Sequence, residues 1–253
     1  MKFAYSLLLL VFSIVILCEV TGIYFLYEFK KNLEDQIVKD SEKVDTMIVN
    51  RIDSYTIERL VDLVNLAKSS TFATAIDASN TQFSNMADPQ QYMTKMDSAW
   101  ASAPKNETLP FMKTLIDSQH SEQLRQIQNY ESIMFGGKMY DDIVMTNSYG
   151  ANVIELYKTS NYAHNDEEWW KAATNHGLYV GAIEFDKNSG TSSYVIAVQL
   201  NDEQGNIIGV AKAVVSTQQM IKIIKSQMNS TNPSPIQYEL ISNDTVIYSA
   251  DPT

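Results

Sequence analysis

The sequence predicts an α+β protein, with a long helical region at the amino terminus followed by an antiparallel sheet and flanking helices. Residues 28–70 contain no glycine and no proline and repeat apolar residues at helical spacing. Beyond residue 140 the period changes, and short apolar runs alternate with turns rich in asparagine, aspartate, serine and glycine. Strand hairpins combined with helices in this way are typical of the α+β class.

The first 29 residues form the apolar segment that a membrane-spanning helix needs. Residues 3–29 are almost wholly apolar, broken by Glu19, and lysines flank them on both sides. About 20 such residues cross a bilayer as a helix. A cleaved secretory signal is the alternative, but no A-x-A site follows the apolar stretch at 7–17. We therefore predict an uncleaved transmembrane anchor over residues 1–29.

Residues 30–75 are predicted to form one long signalling helix. Its apolar side chains make a narrow seam that includes Leu33, Ile37, Val44 and Ile48, and most of its other residues are polar or charged. A seam of this kind favours lateral pairing with a second copy, so we expect a homodimer. The alternative is that the helix packs on its own domain, and both arrangements can hold along different stretches.

The globular part is predicted to carry several short elements. Residues 71–106 are mixed and give no clear element. Strands are expected at 142–146, 151–157, 178–185, 193–200 and 207–215, and a hairpin at 236–241 and 246–249. Helices are expected at 109–130, 167–175 and 217–228, the second of them capped by Asn165 or Asp166. On the strand at 193–200, the alternating residues Tyr194, Ile196, Val198 and Leu200 share one face, which should be core.

Composition narrows the classes of function. The 253 residues, 45% of them hydrophobic, suffice for one sizeable core besides the anchor and the long helix. The net charge of -11 leaves no basic face for nucleic acid. Cys18 is the only cysteine, so the chain has no internal disulfide and no cysteine metal site.

Motifs of catalysis and of metal or cofactor binding are absent from the sequence. There is no glycine-rich phosphate loop, no G-x-S-x-G and no H-E-x-x-H. His164, Asp166, Glu167 and His176 lie close in sequence but match no metal-ligand spacing, so we expect exposed loop residues and no metal site. We predict a protein that is not an enzyme and has no cofactor.

Four segments of the globular part resemble the double Cache sensor domain, in the order found in that family. They are 142–153 (DIVMTNSYGANV), 166–173 (DEEWWKAA), 179–185 (YVGAIEF) and 207–215 (IIGVAKAVV). Cache domains are extracytoplasmic sensors of histidine kinases, chemoreceptors and cyclic-dinucleotide enzymes. The resemblance, which runs from about residue 45 to the end, implies that the globular part lies outside the cytoplasm.

The same resemblance implies a division of the chain. Residues 76–218 would be the membrane-distal, PAS-like lobe that binds the ligand. Residues 219–253 would be a connecting helix and an incomplete membrane-proximal lobe. A second transmembrane helix and a cytoplasmic output domain would be expected to follow, so the chain would be a fragment or a truncated product.

Family members that bind amino acids use a tyrosine, an arginine, two aromatic residues and two aspartates in the distal lobe. Position by position, the resemblance gives Tyr162, Trp169, Trp170 and Asp186 as ligand contacts, with Trp170 replacing the second aromatic residue. Glu167 stands where the family has the arginine, and valine stands at position 214 in place of the second aspartate. Because a carboxylate gains most from a bidentate arginine, the resemblance implies a neutral or cationic ligand, or none, and not a free α-amino acid.

The residues themselves support a small-molecule site less sharply. Trp169 and Trp170 are about 100° apart on a helix, so one can pack inward while the other lines a cavity. The alternatives are that both tryptophans are core residues and that Asp186 is a turn former. Glu184 and Tyr194 complete the candidate set.

We predict an extracytoplasmic sensing module of a membrane receptor. It would bind a small molecule in the distal lobe and pass the signal through the long helix. The alternative is a membrane-anchored, Cache-like interaction protein without a metabolite ligand. A membrane-anchored hydrolase is a third class, which the missing nucleophile and metal motifs oppose.

Overall fold

The structure is a computed structural model that describes residues 2–104, 108–186, 191–230, 238–242 and 245–250. The chain divides into two compact units, Met1–Asn50 and Arg51–Thr253. The first unit is part of one helix, and the second contains every strand of the described residues.

The predicted anchor and the predicted long helix form one continuous helix at the amino terminus. In the middle of the chain the helices are shorter than predicted. They are α1 Lys2–Ala67, α2 Ser70–Ser84, α3 Pro89–Ser102, α4 Pro110–Ile116, α5 Gln119–Phe135, α6 Glu168–His176 and α7 Thr217–Ser230. The predicted helix at 30–75 therefore ends at Ala67, and α2 begins after Ser69. The single helix expected at 109–130 is two helices, and α2 and α3 occupy most of the segment interpreted as mixed.

In the first unit the apolar side chains of α1 are exposed. Leu8, Phe12 and Phe25 each expose about two thirds of their area, at 69%, 64% and 71%. By length and composition, α1 is the one helix among the described residues that could cross a membrane. A contiguous apolar surface of this extent on a soluble helix would be costly without a cover.

The second unit is built around one antiparallel sheet. Its strands are β1 Tyr140–Asn147, β2 Asn152–Glu155, β3 Leu178–Val180, β4 Glu184–Asp186, β5 Thr191–Asn201 and β6 Ile207–Ser216. The order is β2-β1-β6-β5-β3, and β4 also pairs with β5. A separate hairpin joins β7 Tyr238–Ser242 to β8 Thr245–Ala250. The α+β class is thus confirmed, although the strand expected at 178–185 is split into β3 and β4.

The two faces of the sheet carry different elements. As predicted, Tyr194, Ile196, Val198 and Leu200 of β5 are all buried on one face. On this face the Tyr194 hydroxyl lies 3.1 Å from the Thr56 hydroxyl of α1. The other face is covered by α6, whose Trp169 and Ala173 form a buried cluster with sheet residues. We call these two surfaces the α1 face and the α6 face.

The central strands approach each other closely where β6 has a glycine. Gly209 pairs with Asn147 of β1, and a Cβ at this position would lie 2.0 Å from the Thr146 carbonyl oxygen. No side chain fits there without moving the backbone, so the residue type fixes the close pairing of β1 and β6.

Candidate ligand-binding site

The strand register brings a set of charged residues to the α6 face. Lys212 of β6 pairs with Ala197 of β5 on one side and with Val144 of β1 on the other. Val144 in turn pairs with Glu155 of β2. Directly paired residues share a face of an antiparallel sheet, so Lys212 and Glu155 lie on the same side. Asp142, two residues before Val144, also belongs to it.

Both tryptophans of α6 contact this face. Trp169 is 6% exposed and packs with Ala197 and Val210, and Trp170 lies partly buried against the same cluster. The Trp170 indole N–H donates to the Thr146 hydroxyl of β1 over 3.1 Å. The helix is anchored to the sheet by two adjacent indoles, and its polar amino-terminal end is held over β1 and β2.

Glu167, the N-cap residue of α6, has both carboxylate oxygens occupied. Oε1 lies 2.6 Å from His164 Nδ1 and accepts from the Asn161 side-chain amide over 3.2 Å. Oε2 accepts from the Trp169 indole N–H. Partial burial alone would raise the pKa of Glu167, but these hydrogen bonds outweigh it and hold the pKa at about 2. The charge of Glu167 is consequently satisfied by its own neighbours.

His164 is buried, at 1% exposure, and faces an acceptor at each ring nitrogen. Nδ1 faces Glu167, and Nε2 lies 2.9 Å from the Asn152 side-chain oxygen. The Asn152 amide nitrogen donates to Thr159, to Glu155 and to the Asn161 carbonyl, which fixes the orientation of that amide. Both ring nitrogens therefore lie against oxygen atoms of neighbouring side chains, which hold the imidazole in one orientation.

The carboxyl groups of Glu155 and Asp142, also on the α6 face, hold their protons more tightly than usual. Burial raises the pKa of Glu155 to about 8, against the lowering effect of its hydrogen bonds from Thr159. Among the residues that the structure describes, its Oε1 atom has no hydrogen-bond partner. Burial also raises the pKa of Asp142 to about 6, although the charge of Lys212 acts in the opposite direction. At neutral pH Glu155 is therefore largely uncharged.

Lys212 carries the positive charge of this face. Its ammonium lies 4.9 Å from the centre of the Trp169 ring, in the geometry of a cation–π contact. Among the described residues, no carboxylate oxygen lies within 4.0 Å of this nitrogen. The lysine is half-buried, so its charge is neither fully solvated nor paired.

The structure brings together only part of the predicted residue set. Trp169, Trp170 and Glu167 lie together at the α6 face. Glu184 pairs with Ser193 and lies on the same side of the sheet, where its charge and that of Glu168 add to the effect of burial in raising the pKa of Tyr179. The side chain of Asp186 lies outside the described residues, although its backbone ends β4.

Tyr162 and Tyr194 lie elsewhere. Tyr162 is 5% exposed and packs in a neighbouring core, with its ring centre 5.9 Å from that of Trp100. Tyr194 lies on the α1 face, opposite the tryptophans, because side chains alternate along β5. We therefore leave Tyr194 out of the candidate site. The predicted caps Asn165 and Asp166 are also replaced, since α6 begins at Glu168 with Glu167 as N-cap.

Sequence reasoning missed His164, Glu155 and Lys212. His164 was expected in an exposed loop and is instead the buried partner of Glu167, whereas Asp166 and His176 are exposed. A signal for the other two was present, because Glu155 and Lys212 are single charges inside apolar strand segments. A charged residue at a position expected to be buried indicates a partner or a function.

Solved structures similar to this chain are sensory ligand-binding domains of chemoreceptors and histidine kinases, the class that the sequence resemblance names. One is the ligand-binding domain of the Pseudomonas aeruginosa amino acid chemoreceptor PctC in complex with GABA. It is 13% identical, with 73% of this chain and 71% of that chain covered and a TM-score of 0.33.

Two further examples belong to the same class. The sensory domain of the Campylobacter jejuni chemoreceptor Tlp3 with isoleucine bound is 12% identical, covers 78% and 73% of the two chains and has a TM-score of 0.35. The sensor domain of the Vibrio cholerae histidine kinase DctB is 12% identical, covers 60% of each chain and has a TM-score of 0.29. No family model and no curated protein matches the chain. Its function is therefore argued from its own residues.

Proposed function

We propose that this chain is the sensing module of a membrane-anchored receptor, which binds a small molecule at the α6 face and relays occupancy through α1. One observation carries the proposal: strand β5 presents the α6 site on one face and contacts α1 on the other. Ala197 of β5 packs under Trp169, while Tyr194, three residues earlier on the same strand, meets Thr56 of α1. A shift of β5 caused by a ligand would reach α1 directly.

The contact between α1 and the sheet is suited to rearrangement. A recess of about 320 Å³, counting the part open to solvent, lies between α1, α5 and β1 and is lined by Leu63, Leu124 and Tyr140 among others. The Tyr140 hydroxyl and the Nε of Arg59 are buried nearby without a hydrogen-bond partner among the described residues. Incomplete packing and unpaired polar atoms reduce the free energy that separates alternative positions of α1.

The exposed apolar part of α1 supports a membrane anchor. We also propose that the globular unit lies on the extracytoplasmic side. We further propose that two copies pair along α1 beyond the bilayer, since Leu33 and Ile37 in the seam of this helix are exposed. In this arrangement the module catalyses no reaction itself.

A thermal-shift screen tests the proposal. The full chain is reconstituted in lipid nanodiscs and unfolded in the presence of single metabolites from a diverse panel. We expect at least one compound to raise the melting temperature, because a ligand that binds only the folded state stabilises it by mass action. The rise should disappear in Ala197→Trp, whose bulk displaces Trp169 from the sheet, and persist in Ala172→Trp, on the partly exposed side of the same helix. Failure of every compound would contradict the sensing function.

One surface favours the alternative of an interaction protein. Tyr130, Ile133, Met134 and Phe135 at the end of α5 expose between 59% and 81% of their area. Clustered exposed apolar residues often mark protein contacts. If no metabolite stabilises the chain, and Ile133→Ser abolishes copurification of a defined partner that the wild type retains, this second function replaces the first.

A further inference from the structure

Glu19 lies deep within the apolar segment of α1. The segment at 3–29 has its midpoint at residue 16, so Glu19 lies about 4.5 Å along the helix from the middle of the proposed span, at a rise of about 1.5 Å per residue. The hydrocarbon core of a bilayer extends about 15 Å to either side of its middle. A carboxyl group at this depth is costly unless another polar group bonds to it.

The hydroxyl groups near Glu19 have partners in their own helix, whereas Glu19 has none. The Ser13 hydroxyl donates to the Leu10 carbonyl over 2.8 Å, and the Thr21 hydroxyl donates to the Leu17 carbonyl over 2.8 Å. Among the described residues, no hydrogen bond or ion pair involves the Glu19 carboxyl group, and its side chain is exposed. In the described part of one copy, Glu19 therefore has no partner within the bilayer.

Glu19 is in register with the apolar seam of the same helix. Two series of residues at intervals of seven continue the seam into the apolar segment: Leu33, Leu26 and Glu19, and Ile37, Lys30 and Ile23. Leu26 and Ile23 are exposed, at 66% and 68% of their area. Lys30 follows the apolar segment and pairs with Glu34 over 3.6 Å. Since a seven-residue repeat keeps one side of a helix against a partner helix, Glu19 belongs to the surface proposed for pairing.

We propose that two copies pair through Glu19 inside the bilayer, where the two carboxyl groups hydrogen-bond to each other across the two-fold axis of a parallel dimer. This inference rests on the membrane anchor and the pairing of α1 proposed above, and it adds a specific polar contact within the lipid. In a parallel two-fold dimer, a residue on the seam meets the same residue of the second copy. A protonated carboxyl group has both a donor and an acceptor, so the pair needs no basic residue.

The pair of carboxyl groups fixes the alignment of the two helices. A polar residue among apolar seam residues favours one register, because any other register leaves both carboxyl groups against apolar side chains or lipid. Gly22, one turn beyond Glu19, borders the same side of the helix, and in one copy nothing lies within 4 Å of the position that a Cβ would take there. Small residues allow the backbones of two spanning helices to approach closely.

Energy transfer between two populations of the full chain tests the contact. Copies labelled at the carboxyl terminus with a donor or an acceptor dye are mixed in phosphatidylcholine vesicles, and energy transfer is followed as lipid is added. We expect dimers in the wild type and a dissociation constant that rises roughly fivefold or more in Glu19→Leu, the loss expected for a hydrogen bond between spanning helices. Glu19→Gln should dimerise like the wild type, because an amide also donates and accepts.

A displaced carboxyl group separates position from polarity. The double variant Glu19→Leu, Leu17→Glu keeps the composition of the span and moves the acid by two residues, about 200° around the helix and about 3 Å along it. It should dimerise as weakly as Glu19→Leu. A double variant that dimerises as tightly as the wild type would overturn the assignment of the contact to the seam.

Flotation of the same vesicles on a density gradient distinguishes the possible failures. A chain that does not float with the vesicles contradicts the membrane anchor and the Glu19 contact together. A floating wild type that stays monomeric overturns the contact and the pairing of α1, and leaves the anchor. If the wild type floats and dimerises, but Glu19→Leu dimerises as tightly, only the contact at Glu19 is overturned.

Discussion

Single residues at the α6 face show how burial and hydrogen bonding redistribute charge. Glu155 and Glu167 are both partly or fully withdrawn from water, yet their pKa values move in opposite directions. Glu167 is surrounded by three donors and stays ionised, whereas Glu155 has one oxygen without a partner and holds its proton. Glu155 should therefore affect the pH dependence of stability up to about pH 8, and Glu167 only under acidic conditions.

Glu155 should lower stability as the pH rises. Because its pKa in the folded chain is about 8, against an ordinary value of 4.5, the stabilisation is full below the ordinary value and is lost as the pH rises to about 8. Glu155→Gln should flatten the melting-temperature profile between about pH 7 and 8, where Asp142, with a pKa of about 6, is already largely ionised. Glu168→Gln, an exposed glutamate, should keep the wild-type slope. An unchanged slope in Glu155→Gln would contradict the assignment.

Glu167 should contribute stability and not ligand affinity. Glu167→Gln removes the charge-assisted hydrogen bond with His164, and we expect the free energy of unfolding to fall by about 1.5–3 kcal/mol. Asp166→Asn changes the same charge at the exposed neighbouring residue and should shift it by less than about 0.5 kcal/mol. Urea unfolding followed by tryptophan fluorescence measures both. A Glu167→Gln variant of unchanged stability that no longer binds the stabilising compound would make Glu167 a ligand contact instead.

At the scale of elements, β5 connects the α6 site to α1. Its side chains point alternately to the α6 face and to the α1 face. Val195 and Ala197 pack against α6, whereas Tyr194 contacts α1. This division follows from the period of two along a strand. The hydroxyl pair of Tyr194 and Thr56 is a polar link between this strand and α1, and its strength can be measured separately from the apolar packing.

A double-mutant cycle measures that link. Tyr194→Phe and Thr56→Val each remove one hydroxyl, and each should lower the free energy of unfolding by about 0.5–1.5 kcal/mol. The double variant should cost little more than either single variant, because both changes remove the same hydrogen bond. Tyr130→Phe, an exposed tyrosine on α5, serves as the control and should have no effect. Additive losses in the cycle would show that the two hydroxyls act independently.

The elements were predictable to different degrees. The period-two pattern of β5 and the apolar runs of β1 and β6 were sufficient to predict these strands. The helices α2 and α3 were missed because Asn, Asp and Pro interrupt their apolar residues. Their signals were nevertheless present: Phe72, Ile76 and Phe83 recur at helical spacing, and Asp88 before Pro89 is a helix start.

The candidate site was less predictable than the fold. Trp169 and Trp170 were found from their place in the sequence, and the structure puts both against the sheet. The hydrogen bonding of Glu167 could not be predicted from the sequence. It depends on His164, which is in turn held by Asn152 of strand β2. Charge complementarity among residues from separate segments requires the register of the strands, and the sequence alone does not supply it.

At the scale of the whole molecule, the chain combines an exposed apolar helix with a sheet domain whose two faces contact different helices. Membrane anchoring, ligand binding and relay through α1 are separate proposals that share one requirement: occupancy at the α6 face must change the contacts of α1 in the second unit. That requirement is stronger than ligand binding itself, since a ligand moves an equilibrium only by its differential affinity for the two states.

Hydrogen–deuterium exchange on the full chain in nanodiscs tests this requirement most directly. Exchange is compared with and without the compound that gives the largest rise in melting temperature. We expect slower exchange in α6, β1 and β6 around the site and a concurrent change, in either direction, in residues 51–67 of α1. Protection around α6 with unchanged exchange in residues 51–67 would contradict a relay from the α6 face to α1.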